Sequence, residues 1–411
     1  MRVSKNPWFM LWVLVIAQFA LSVGAYAWGP LAPYLVDSFD INRTQIGLIT
    51  SAIYLVATII AIPGGILVDR FGSYYSLVVC LLFSAVPYSL MGFFDSYSMI
   101  ITLAGISGVG YGLINQASTK GLIQWFPPQR RATVMGIKQT GVSLGAAAAA
   151  ISFPITSHYF GWQVSLTGIG LVMLLVTGIV LLFYRDKPAG SLSNLASTPA
   201  AILPKKNPFK LVWNNKRLMI VIGIFPFLAS TQICITSFLL LYLTEERDMS
   251  IAIASSCLTV TLIGGTLGRL VWGALADRFF NGQILKACIL LSAIGLASAV
   301  TLTFAPKGMP LAVFYIVSAL IGFTLIGWNA ALMTLVAELA GLENVGSVMG
   351  LAIAIGWTGI FVAPPIFGFV ADTAGYTLSW LLVSGCVLIS FVGFLYLGID
   401  KKSTDSEELN Q

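Results

Sequence analysis

The sequence predicts an all-α membrane protein of twelve transmembrane helices in two pseudo-symmetric six-helix bundles, and three observations predict it. The first is composition: of 411 residues, 57% are hydrophobic and 9% charged, with a mean hydropathy of +0.90, against about 25% charged residues in soluble domains. The second is spacing, because apolar runs of about 20 residues, enough to cross a bilayer core, recur twelve times. The third is a repeat: Gly65-Ile66-Leu67-Val68-Asp69-Arg70-Phe71-Gly72 returns as Gly273-Ala274-Leu275-Ala276-Asp277-Arg278-Phe279-Phe280. Each copy closes an apolar run and opens a polar turn, so the repeated unit is a membrane helix followed by a charged loop.

In chain order the spans are expected at residues 8–36, 46–68, 76–94, 98–124, 132–157, 162–184, 217–243, 251–275, 284–305, 310–337, 346–371 and 375–399. Met1 to Ala27 has the basic start, apolar run and small-residue end of a signal peptide. The apolar stretch continues through Pro33, however, and the repeat requires a span here, which favours a retained first helix. The polar stretch from Arg185 to Arg217, rich in Lys, Ser, Pro and Asn, reads as a linker between halves. The expected domains are therefore 1–184, a cytoplasmic linker at 185–216, 217–400, and a disordered tail at 401–411.

Cytoplasmic loops carry the excess of Lys and Arg. With the N-terminus inside, 16 of the 22 basic residues fall in cytoplasmic loops and ends, three (Arg43, Arg247, Lys307) fall outside, and Lys120, Lys138 and Arg269 lie within spans. Both termini are thus expected in the cytoplasm, and the formal charge of +6 follows from topology without a nucleic-acid partner. The five cysteines lie in apolar segments without metal-ligand spacing and read as small core residues. His158, the single histidine, falls at the outer end of span 5 and reads as a surface residue.

The repeat extends outward. Val134-Met135-Gly136-Ile137 in span 5 recurs as Val348-Met349-Gly350-Leu351 in span 11, an offset of 214, which also relates Gly161-Trp162 and Ser165 to Gly375-Tyr376 and Ser379, and Gly108 and Asn115 to Gly322 and Asn329. The turn pattern, its weaker copy, twelve spans and a basic central linker resemble the major facilitator superfamily. In that family two like halves are related by an axis along the membrane normal, with the substrate site near the midplane at their interface. The resemblance implies that Gly65, Asp69, Arg70, Asp277 and Arg278 form cytoplasmic gate elements, whose charges pair with neighbouring helix ends in one state and release them in the other. The alternative for the same residues is a tight turn with a local ion pair. Phe280 in place of Gly72 leaves the second turn's geometry open.

Charge inside a membrane is costly and marks functional sites. Arg269 lies eight residues before Asp277, so about 12 Å from the end of span 8, close to the middle of a core about 30 Å thick. Lys138 lies at comparable depth in span 5, and Lys120 is shallow enough to snorkel. No Asp or Glu lies deep in any span, so an anionic substrate would supply the missing charge, with Arg gripping a carboxylate in two parallel bonds and Lys acting as a point charge. Bonding of Arg269 to backbone carbonyls, or a neutral Lys138, is the alternative. Gln18, Tyr26, Asn115, Gln139, Gln232, Trp328, Asn329 and Trp357 are further cavity candidates, each of which would serve equally as an interhelical packing or hydrogen-bonding residue. Gly141, Gly145 and the Ala146 to Ala150 run favour close helix packing.

Gly268-Arg269 followed by Gly273 is similar to the span 8 arginine segment of the oxalate:formate and monocarboxylate transporter group, where the resemblance implies carboxylate binding. This chain departs from it with Gly265 at the usual acidic position, without the Gly- and Trp-rich start of span 1, and without the second cation that the oxalate exchangers carry in span 11; under the 214 offset Lys138 of span 5 corresponds to Ala352 of span 11. The second cation of this chain is therefore expected in the opposite half, at Lys138. The function expected is secondary transport of a small organic anion, a mono- or dicarboxylate, by alternating access as symporter or exchanger, in a monomer of the cell (inner) membrane, with a proton or counter-anion as co-substrate. The alternative is a proton-coupled multidrug or neutral-metabolite exporter of the same fold, for which the arginine motif of span 4 and a deep carboxylate are missing. No enzyme chemistry, metal or cofactor is expected, because the chain has no Ser/His/Asp set, metal cluster or phosphate loop.

Overall fold

The structure is a computed structural model that describes residues 6–186, 208–280, 283–306, 308–341 and 345–408, without the side chains of Asp69 and Asp277 among others. Eleven described stretches are long and apolar enough to cross a membrane. One of them, Val134–Phe183, has 50 residues, about 75 Å of helix, and breaks at Gly161, where φ is 85° and ψ 156°. It therefore holds two spans, and the described residues form twelve. The chain divides into two compact units, residues 1–203 and 204–411.

In the first unit, span 1 is α1 (Pro7–Ala25) and α2 (Trp28–Phe39). The interruption at Tyr26 follows from Pro30, whose ring would clash with the carbonyl four residues earlier in a continuous helix. The Tyr88 hydroxyl donates to the Gly24 carbonyl at 2.7 Å just before the break. Spans 2 and 3 form α3 (Arg43–Met91), started by a capping box in which Asn42 and Gln45 exchange side-chain and backbone bonds and bent at Gly72 (φ 85°, ψ 172°). Span 4 is α4 (Tyr97–Trp125), and spans 5 and 6 are α5 (Pro128–Phe183). The unit is held by α3 against α4 and α1 against α5.

The second unit begins with the short helix α6 (Pro208–Trp213), which lies within the segment read as the linker; residues 187–207 of that segment lie outside the described ones. Spans 7, 8 and 9 are α7 (Lys216–Glu245), α8 (Ile251–Phe279) and α9 (Ile284–Thr303), with α7 and α8 capped by Asn215 and Ser250. Span 10 is α10 (Leu311–Ile321), a π turn (Gly322–Ile326) and α11 (Trp328–Ala340). Spans 11 and 12 are α12 (Val345–Ala374) and α13 (Tyr376–Glu408). The segment expected as a disordered tail thus continues the last helix to Glu408, having no Gly or Pro to stop it.

Lipid tails are as apolar as leucine, so close backbone approach rather than water exclusion holds such helices together. A methyl group on Gly108 would strike the Ile53 carbonyl, and one on Gly322 the Thr261 carbonyl. Gly108 and Gly322 are 214 apart, and Ile53 and Thr261 are separated by the turn motif's own 208, so one contact occurs in both units. Gly145 against Ser22 and Gly359 against Ser230 form a second such pair. At the span 6 and span 12 entries, Gly161 and Gly375 both take φ near +85° (85° and 83°), and the Ser165 and Ser379 hydroxyls each donate to the carbonyl of that glycine.

Two further contacts invert across the repeat. Gly112 of span 4 lies against Ala57 of span 2; at the corresponding positions Gly265 of span 8 lies against Ile326 of span 10. Gly64 lies against Leu113, whereas the second unit has Trp272 and Gly327 there, the indole reaching the Phe323 carbonyl at 2.7 Å. The small residue changes helix, and the helix pair keeps its register.

Candidate functional site

The end of the first unit that carries the turn motif is built around Gly72. Its positive φ favours glycine, and a side chain there would strike the Asp186 carboxylate. That carboxylate accepts from the Tyr74 amide at the N-terminus of span 3, where a negative charge is favoured by the helix dipole. The Tyr184 hydroxyl donates to Ser73 Oγ at 3.1 Å, Ser73 Oγ donates to the Ala117 carbonyl, and Lys120 Nζ donates to the Val68 carbonyl at 2.7 Å. Arg70 is exposed, with its guanidinium 5.5 Å from the Phe71 ring; in the second copy Arg278 is exposed likewise, 5.9 Å from Phe279. Gly65 faces open space inside its own unit. At Phe280 the backbone is φ −118°, ψ 17°, so the residue at the Gly72 position of the second copy does not take the positive φ of the first. Asp69 and Asp277 are placed by their backbones at the two helix ends, and their side chains lie outside the described residues.

Deeper in the first unit, Lys138 is 3% exposed and donates to Asn115 Oδ1 at 3.0 Å. These two sequence candidates meet across α5 and α4. Asn115 is neutral, and among the described residues no carboxylate pairs with this ammonium. Gln18 is 1% exposed with Oε1 lacking a hydrogen bond, and its Cβ lies against Gly141, so the expected close packing of span 5 on span 1 is present. Tyr26 is half-buried at the α1 to α2 break, and Gln139 is exposed.

In the second unit Arg269 is half-buried on α8, directly after Gly268, which packs on the Phe323 carbonyl. Gln232, Asn329 and Trp357 are half-buried on α7, α11 and α12. Trp328 is a correction: at 2% exposure it stands edge-on to Phe225, ring centroids 5.1 Å apart, inside the apolar core of its unit. Its place directly after the π turn rotates the indole inward. Ala352, the counterpart of Lys138, is fully buried in the same core.

Asp186 and Gln116 carry contacts that the sequence reading did not single out. Gln116, Lys120 and Gln124 recur at every fourth position of span 4, a polar stripe on an otherwise apolar helix that was available as a signal. Asp186 carries none, because it lies 114 positions after Gly72 in a polar segment. No group of three His, Cys, Asp or Glu residues able to hold a metal occurs among the described residues.

The sequence profile of the Major Facilitator Superfamily matches residues 14–364. The chain belongs to the major facilitator superfamily. It is similar to the hexuronate transporter of Bacillus subtilis, at 25% identity over 371 residues and 87% of each chain, and to a probable sulfoacetate transporter of Cupriavidus necator, at 24% identity over 93% of this chain and 92% of the relative. A probable nitrate/nitrite transporter of Mycobacterium tuberculosis is 25% identical over 97% and 98%. Among solved structures, a bacterial homolog of the human lysosomal transporter Spinster, inward-facing and unoccupied, superposes with a TM-score of 0.78 at 13% identity over 94% of this chain and 96% of that one. That likeness concerns the fold alone. As a major facilitator protein the chain is an integral membrane transporter and not an enzyme, and the likeness of span 8 to the oxalate and monocarboxylate group rests on the Gly268-Arg269 segment.

Proposed function

We propose that this major facilitator protein moves a small organic anion, a mono- or dicarboxylate, across the cell membrane by alternating access, as a symporter or exchanger. The observation that carries the reading is Lys138: an ammonium group 3% exposed in a membrane span, whose hydrogen-bond partner is the neutral Asn115. Burying a cation at that depth costs about 3 kcal/mol on insertion scales, and a neutral acceptor returns only part of it. An anion bound beside Lys138 removes the remainder. Arg269 is the second anion-binding residue, suited to a two-oxygen grip. The names of the relatives support the class, since hexuronate, sulfoacetate, nitrate and nitrite are all anions.

In this reading Gly65, Asp69, Arg70, Asp277 and Arg278 act at the cytoplasmic gate, both termini lie in the cytoplasm, and residues 185–216 link two six-helix domains. The test is a thermal-shift screen of small anions on wild type, Lys138→Met and Arg269→Gln. Stabilisation by one class of carboxylate, reduced at least tenfold in apparent affinity by either substitution, is the expected result. Binding that ignores both substitutions, or export of cationic dyes from proteoliposomes, overturns it.

A further inference from the structure

A proton that drives transport has to ride on a group inside the membrane that holds it in one step of the cycle and releases it in another. A carboxylate would serve, yet all 16 Asp and Glu residues of this chain lie at span ends or in loops. The single imidazole, His158, is exposed at the end of span 5, 20 positions and about 30 Å of helix beyond Lys138.

Lys138 meets the requirement. It is 3% exposed, and its Nζ donates to Asn115 Oδ1 at 3.0 Å. The chemistry of that partner matters. An aspartate in its place would hold the ammonium charged throughout. An asparagine accommodates both protonation states: its oxygen accepts from an ammonium or from a neutral amine, and a flipped amide donates N–H to the amine lone pair. The proton can leave without stranding either side chain.

The elements packed on α5 are α1, α2, α3 and α4. From Pro7 to Ala25, α1 has no titratable residue. At the end of the unit away from the turn motif, α2 brings the Tyr34 hydroxyl to the Pro154 carbonyl at 2.9 Å. The charged residues of α3 lie at its start and beside the Gly72 turn. Within its spans α3 brings Tyr54, Cys80 and Tyr88, with the Tyr54 ring 5.3 Å from that of Tyr111 on α4. Tyr111 stands one turn from Asn115 on the same face, and Lys120 is bonded to the Val68 carbonyl. Among the described residues, none of these elements brings a carboxylate to the ammonium.

With no anion beside it the ammonium bears the whole cost of burial, and loss of the proton removes that cost. A bound anion reverses the balance. The anion-bound protein therefore holds this proton more tightly than the empty one, so the two are taken up together and released together. We propose that Lys138 carries the coupled proton and that the transporter is a symporter. Each anion crosses with one proton on the Lys138 amine; on release an N–H bond breaks, its electron pair stays on the nitrogen and the proton passes to water on that side. The proposal rests on the anion-transport reading above, and the experiment separates the two.

Calorimetric binding of glucuronate, sulfoacetate and nitrate, in buffers of different ionisation heat, counts the protons taken up per anion bound. All three anions are fully ionised from about pH 6 to about pH 9, so a counted proton belongs to the protein. For whichever of them binds, wild type is expected to take up a proton over part of that range. There its affinity falls about tenfold per pH unit as pH rises. Lys138→Arg keeps a permanent charge, and Asn115→Asp holds the ammonium charged, so an anion that binds to either should bring no proton. Lys120→Met and Tyr111→Phe remove neighbouring titratable groups and should keep the proton count of wild type.

Binding by wild type without proton uptake overturns the coupling role and leaves anion transport standing. Uptake that persists in Lys138→Arg, or disappears in Lys120→Met or Tyr111→Phe, places the proton on another group and also overturns it. If the two charge-locking variants bind too weakly to measure, the counts in Lys120→Met and Tyr111→Phe decide. Binding of none of the three anions by wild type overturns both readings.

Discussion

The Tyr74 amide donates to both carboxylate oxygens of Asp186, at 3.1 and 3.2 Å, across 112 residues of sequence. This contact ties the start of span 3 to the end of span 6 and explains the glycine between the Asp-Arg pair and span 3. Gly72→Ala combines a forbidden φ with a collision against that carboxylate, and about 1–3 kcal/mol of stability should be lost. Thermal unfolding in detergent should show a melting temperature several degrees lower; an unchanged value removes Asp186 as the reason for glycine.

The same contact has a pH signature. Burial raises the Asp186 carboxyl above the usual carboxylate value, a shift opposed by the Tyr74 and Ser73 amides and by Lys120. The folded state then holds this proton more tightly than the unfolded chain does. The group's contribution to stability is therefore greatest at acid pH and falls as pH rises from the unfolded value, about 3.9, through the raised folded value. Melting curves of Asp186→Asn should gain on wild type as pH rises across that window. Parallel curves would contradict the assignment.

Gly322 faces the Thr261 carbonyl with no room for a methyl group, whereas a methyl on Gly178 meets nothing within 4 Å. Gly322→Ala should separate spans 8 and 10 and cost several kcal/mol. Gly178→Ala should be neutral or stabilising by up to about 1 kcal/mol. Equal effects at the two sites would remove the close-approach argument.

Asn115→Asp places a carboxylate beside Lys138 in place of the amide oxygen now 3.0 Å from it. The fold should hold, because the ammonium gains a charged partner, and anion affinity should drop at least tenfold, because the partner now competes with the ligand. Asn115→Leu should instead cost about 1.5–3 kcal/mol of stability by stranding the donor. Retained affinity in Asn115→Asp would place the anion elsewhere.

The two termini are predicted on the side that receives Arg70, Arg130 and Arg278, opposite to Arg43 and Arg247. Single cysteines near Gln411 and at Asp248, in a background with the native cysteines replaced, should react with a membrane-impermeant maleimide from opposite sides of sealed vesicles. Labelling from one side would break the inside-positive assignment.

Much of the fold was legible because its signals are periodic. The offset of 214 placed Gly161 and Gly375 at equivalent entries, and both take the same positive φ; the pairing of Gly108 with Ile53 and of Gly322 with Thr261 obeys the same ruler. What was not legible depends on contacts without period. Asp186 meets Tyr74 only once the chain has folded, and the inward rotation of Trp328 follows from a π turn that hydropathy does not register. Lys138 and Asn115 were each visible as costly intramembrane polar groups, but nothing in their spacing of 23 residues joins them. Gln116 escaped notice because an amide in a span is ordinarily spent on a neighbouring helix, and only its unused oxygen sets it apart.

The inverted contacts between Ala57 and Gly112, and between Gly265 and Ile326, limit how the two halves can exchange material. Grafting span 8 into the position of span 2 would set Gly265 opposite Gly112 and leave a void, while grafting span 10 in place of span 4 would drive Ile326 into Ala57. Either chimera alone should lose stability, whereas the pair moved together should keep its packing. At these positions the packing unit of this protein is the helix couple, and a change of size on one partner calls for the opposite change on the other.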